Sequence, residues 1–210
     1  MHSTNSSPVE PQLCVPTPVD SGGKQTLDML LSRSSARSLK DPAPSPAELN
    51  LILDAAMRAP DHGNLHPARF LIVRGQARQA LGEILAERLM ARDPAASAAV
   101  CERYRMAPLS APLLIGIVAH LTLEHPIPEI EQILSVGAST MNILNALHAL
   151  GYGGLWVTGA SCYDPLVSKA LGLAEEEKLL GLLYVGTPAE EMRQRRRHAG
   201  ATYAIEWQRP

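Results

Sequence analysis

The side chains best able to do chemistry fall in two short stretches. One is Arg58-Ala-Pro-Asp-His62-Gly-Asn-Leu-His66-Pro67, where Arg58, His62, Asn64 and His66 share a segment that Pro60, Gly63 and Pro67 bar from helix. The other is Ser32-Arg33-Ser34-Ser35-Ala36-Arg37, two guanidiniums among hydroxyls. That composition suits a phosphate or the edge of an anionic ring. An arginine near a helix C-terminus also suits the helix dipole, which accounts for any one of them singly. A further run from Arg193 to Arg197 follows Gly186-Thr-Pro188. His62 and His66 form an HxxxH pair, but Gly63 and Pro67 oppose the helix that would align two imidazoles. No third ligand stands nearby, so no metal site is expected. The GxGxxG, Walker, GxSxG and HExxH patterns are absent.

The elements that must position these residues follow from periodicity. Residues 1–23 are rich in Ser, Pro and Gly without an apolar period and read as a disordered tail, with one domain over 24–210. Leu27, Leu30 and Leu31 predict a helix from near Lys24. Ser45, with Pro46 at the first helical position and Glu48 three residues on, caps a second. Its stripe is Leu49, Ile52, Leu53, Ala56 and Met57, and Pro60 ends it. Phe70 to Val73, Leu113 to Val118 and Leu179 to Val185 read as buried strands, and Gly153 to Gly159 as a short one. Helices are expected over about 77–90 and 94–104. A longer one, 128–150, is apolar or small almost all round. Such a helix is buried on every side or packs against a second subunit. Tyr203, Ile205 and Trp207 alternate like an edge strand. Four or five strands interleaved with helices give α+β or α/β.

The totals fit one globular domain: 210 residues, 46% hydrophobic and 19% charged. A net charge of -2 gives no general reason to expect nucleic acid or an anionic membrane as partner. Cys14, Cys101 and Cys162 form no CxxC pair, and no run of ~18 apolar residues occurs, so a reduced cytoplasmic protein is expected.

Taken in order, several pieces resemble the FMN-dependent nitroreductases, especially their compact single-domain subgroup. They are Leu30-Leu-Ser-Arg33-Ser-Ser-Ala-Arg37, Pro42-Ala-Pro44, Met57-Arg-Ala-Pro-Asp-His62 and Pro67 to Val73. Ala111-Pro112, Glu131-Gln132, Gly151-Tyr-Gly-Gly-Leu-Trp156 and Tyr184-Val-Gly-Thr-Pro188 follow. The resemblance implies an α+β fold with a central mixed sheet covered by helices. It also implies a homodimer with FMN at the subunit interface and helix 128–150 near the two-fold axis. Tyr203 to Trp207 would cross to the other subunit. By position, Arg33, Ser34 and Ser35 would grip the phosphate and ribityl chain, with Arg58 and His62 at the flavin. Trp156, Val157 and Thr158 would line it from the partner strand, and Arg195 or Arg197 would approach the phosphate.

Two departures stand out. The family commonly has adjacent arginines where this chain has Arg33-Ser34, and a cation at Val157; Arg37 is the substitute on offer. The frequent Gln-Pro-Trp is His66-Pro67-Ala68, so substrate choice is not carried over. The implied activity is NAD(P)H-dependent reduction of a small nitroaromatic or quinone-like acceptor, ping-pong at flavin N5, with no catalytic side chain required. Another flavin reaction, such as dehydrogenation or dehalogenation, or a non-enzymatic binding role, is the alternative.

Overall fold

A computed structural model describes residues 21–191 and 197–209, so most of the expected tail, and Arg195, lie outside the described residues. Helix α1 (Ser21–Ser32) starts three residues before Lys24, and none of its residues is buried. Helix α2 (Pro46–Ala56) begins as its sequence dictates. The Ser45 hydroxyl accepts the Glu48 amide, and the Ser45 amide donates back to the Glu48 carboxylate at 2.9 Å. The Tyr152 hydroxyl donates to the same carboxylate at 3.0 Å, pinning the start of α2 to the chain beyond the longest helix.

Five strands form one sheet: β1 (Leu39–Lys40), β2 (Ala68–Arg74), β3 (Leu113–His120), β4 (Gly153–Val157) and β5 (Glu177–Pro188). Their order is β1-β5-β3-β2, with β4 also paired to β5. Every pairing among the described residues is antiparallel, which corrects the expected mixed sheet within one chain. The reason lies in the connections. Helices α3 (Gln76–Arg92) and α4 (Ala98–Met106) run out and back, returning the chain to where it left, and Arg74 faces Leu113. Two helices in succession therefore do the work of a hairpin loop.

One face of the sheet packs on α2 and on α5 (Glu129–Ala149) through Ile52, Ile115, Ile117, Ile143 and Leu147. The other packs on α3 and α6 (Pro165–Ala170) through Val73, Leu81, Leu85, Leu114 and Val167. Strand β3 is buried from Leu113 to Ala119, as its unbroken apolar run requires. The expected strand at Tyr203 to Trp207 is not formed. A 3-10 turn (Gly200–Tyr203) precedes an irregular segment in which Tyr203, Ile205 and Trp207 are 73%, 93% and 82% exposed. A lone extended segment has no ladder to complete, and no strand edge of its own chain receives it. No described helix is long and apolar enough to cross a membrane.

Candidate functional site

The structure sorts the candidate residues into two groups at opposite ends of α5. The first group starts where α1 stops. The Ser32 hydroxyl is hydrogen-bonded to His148 Nε2 at 2.9 Å, joining the end of α1 to the end of α5. Two residues after Ser34 the Ala36 amide donates to the Gly154 carbonyl, so residues 33–37 lie against the start of β4. That approach needs glycine: a Cβ on Gly153 would stand 2.6 Å from the Ala36 Cβ. Arg33 is left half-buried, Ser34 buried, and Ser35 and Arg37 exposed. Farther along the same strand and just beyond it, Trp156, Val157 and Thr158 are also exposed.

Charge is unbalanced at this end. Burial, and then the Arg197 guanidinium, hold Arg33 below the usual arginine value, so residues 164 positions apart converge. Burial and then Arg33 likewise push His148 down, keeping its ring neutral. Among the described residues neither Arg33 nor Arg37 has a carboxylate partner. Cations gathered against desolvation and mutual repulsion make a site that an anion completes.

The second group is the turn after α2. The Asp61 carboxylate accepts the amides of Leu65 and His66 at 3.2 and 2.8 Å, which lets Gly63, Asn64 and His66 hold φ of 74°, 52° and 50°. A Cβ on Gly63 would fall 2.4 Å from Ile127 Cδ1, so close approach as well as backbone geometry calls for glycine. His62 is exposed and bonded through Nδ1 to Glu131 at 2.7 Å, in the first turn of α5. Arg58 is exposed at the end of α2, whose Ala55 carbonyl accepts from Asn142 midway along α5. Beneath the turn a polar cavity of about 130 Å³ opens between Asn64, His66 and the buried Ser135 and Ser139 of α5.

Within one chain the two groups do not meet. Glu131 and His148 are separated along α5 by roughly 25 Å at the helical rise per residue. A cleft of about 800 Å³ elsewhere, lined by Ile133, Tyr163, Lys169 and Leu180, contains none of the candidates, so volume alone does not mark the site. Sequence reasoning missed Asp61 as the organiser of the turn, and also His148. The signal for His148 was present: it is the one ionisable side chain between Glu131 and the end of α5.

A model of the nitroreductase family matches residues 30–187. The chain belongs to the nitroreductase family. It is 38% identical over 162 residues, 77% of its length and 87% of the relative's, to the Escherichia coli K12 protein named "Putative NAD(P)H nitroreductase YdjA". A nitroreductase-like protein of Bacillus cereus superposes with a TM-score of 0.71 at 20% identity, covering 92% of this chain and all of that one. A nitroreductase-type protein of Desulfovibrio desulfuricans, solved in complex with FMN, has a TM-score of 0.68 at 26% identity, covering 88% of this chain and 98% of that one. The fold is nitroreductase-like and the protein is an oxidoreductase.

Proposed function

We propose that the protein binds FMN in a site completed by a second copy of the chain, and uses NAD(P)H to reduce nitroaromatic or quinone-like acceptors. The observation that carries this reading is half-buried Arg33, next to Ser34 and Ser35 and within electrostatic reach of Arg197, with no carboxylate partner among the described residues. That donor set fits a phosphate dianion, with Arg33 and Arg197 on its oxygens and the serines toward the ribityl chain. Arg195 is a second candidate from the same run. Trp156, Val157 and Thr158 form the wall along which the ring lies. Arg37 supplies a cation at the ring edge, replacing the one this chain lacks at Val157. Bound there, the flavin supplies hydride transfer at N5, from nicotinamide in one half-reaction and to the acceptor in the other.

Arg58 and His62 come to the same flavin from the second copy. Glu131, which holds His62, lies roughly 25 Å along α5 from His148, beyond the reach of one mononucleotide. Surfaces fit for pairing are present: Leu134 and Ile130 are about 60% exposed on α5, and nothing lies within 4 Å of where a Gly137 Cβ would be. Tyr203, Ile205 and Trp207 offer further exposed apolar surface for a second copy. His62 is oriented by Glu131, and the second copy excludes water from the ring. The first measurement is the visible spectrum of the purified protein before and after anaerobic NADPH, with sedimentation of the same sample. A flavin spectrum that bleaches, on a species of twice the chain mass, is expected. A colourless protein that ignores added FMN overturns the cofactor, and a yellow monomer overturns the shared site.

A further inference from the structure

A cleft of about 330 Å³ lies between α4 and the segment that follows β4. Its volume is in the range of small-ligand sites. The chemistry of its wall is one-sided. It contains one cation, Arg103, several hydroxyls and no acidic side chain. Arg103 and Arg105 share the last turn of α4, where a cation suits the helix dipole. Arg105 is paired with Glu83 and Glu102, whereas the Arg103 guanidinium has no hydrogen-bond or ion-pair partner among the described residues. Glu102, its nearest acid in sequence, is therefore already engaged.

Two hydroxyls reinforce the asymmetry. Ser161 lines the cleft, and its Oγ is buried with no hydrogen-bond partner among the described residues, a state that costs about 1–3 kcal/mol. Burial, with Cys162 adding to it, raises the Tyr184 phenol above its ordinary value, so it stays a neutral donor. The Tyr184 ring and the Tyr104 ring supply apolar surface, with Leu85 and Leu182 behind them. Donors and a cation on an aromatic-lined wall, with no acceptor of negative charge, are complementary to a flat apolar body that carries an anion.

We propose that this cleft is a binding site for a small aromatic carboxylate. The carboxylate meets Arg103, and the ring lies against Tyr104 and Tyr184. The site stands on α4 and residues 157–162 and needs neither FMN nor a second copy, so it does not depend on the proposed function. Val157 and Thr158 line this cleft as well as belonging to the proposed flavin wall, so the two sites adjoin.

The test is calorimetric titration of the protein as purified with sodium benzoate, and with benzyl alcohol as the neutral counterpart. Saturable one-to-one binding of benzoate is expected, clearly tighter than that of benzyl alcohol. Arg103→Gln is expected to weaken it at least about tenfold, the scale of a lost charge-assisted hydrogen bond. Ala107→Phe, which fills the cleft from the α4 side, should abolish it. Thermal midpoints and visible spectra of both variants, unchanged from the parent, show that the fold and any flavin are intact. A second substitution, Arg103→Lys, should restore part of the affinity. Benzoate that does not bind, binds no better than benzyl alcohol, or binds equally well to Arg103→Gln overturns the proposal.

Discussion

The two ends of α5 are built on opposite principles. At the His62 end, polar groups answer one another: Asp61 takes two amides, Glu131 takes His62, and Gln132 bonds the Thr122 amide and carbonyl together with the Ile127 carbonyl. At the Arg33 end, Arg33 and Arg197 repel each other, burial and then Arg33 disfavour a proton on His148, and the Ser32 hydroxyl bonds that ring. The first end is a finished scaffold that holds a difficult backbone. The second is electrostatically incomplete, and its missing term is negative. A half-site of each kind makes sense when one must grip a charged tail and the other must only present a rigid surface to a ring.

Removing the grip should break this contrast most sharply. Arg33→Ala is expected to weaken FMN retention on the order of 10- to 100-fold, the range for losing charge-assisted hydrogen bonds. His62→Ala, which ends an exposed pair, should cost much less. Fluorescence titration of flavin-stripped protein decides it, and equal losses would erase the distinction between grip and surface.

The scaffold end should instead fail in stability. Gly63→Ala places a Cβ at φ 74° and against Ile127, for a loss of about 2 kcal/mol by urea unfolding. Adding Ile127→Ala should return the steric share and leave the backbone share. Complete recovery would mean that the left-handed conformation costs nothing there.

The smallest effect sharpens the electrostatic side. Because the folded state holds His148 below its unfolded value of about 6.5, the unfolded chain binds the proton more readily. Stability of the flavin-free protein should then be complete above that value and decline as pH falls through the lowered one. His148→Gln should flatten that part of the profile, and bound FMN should shrink it by offsetting Arg33. A profile unchanged in His148→Gln would remove this histidine from the account.

Much of this was legible beforehand because it is local. The Ser45–Glu48 box, the proline-ended α2, the unbroken apolar run of β3 and the small-residue α5 each state their own conformation. Arg33 and His62 were found by composition within a stiff frame. What was not legible depends on who meets whom. Antiparallel pairing of β2 with β3 follows from α3 and α4 running out and back, which no period records. His148 matters only because Ser32 and Arg33, more than a hundred residues away, are folded onto it. The exposed Tyr203 to Trp207 alternates like a strand, yet alternation names a conformation and not the edge that completes it.

Gly82 is packed so closely that a Cβ there would fall 2.1 Å from the Arg105 carbonyl, which locks α3 to α4 over much of their length. Since the chain leaves the sheet at Arg74 and re-enters opposite it at Leu113, this locked pair is a closed detour. Its length and outer chemistry can drift without shifting one rung of the ladder. Arg103 and Tyr104 ride on that detour, whereas Arg33 and Trp156 do not. The α4 wall of the cleft can therefore be rewritten while the strand that carries Trp156 stays in register.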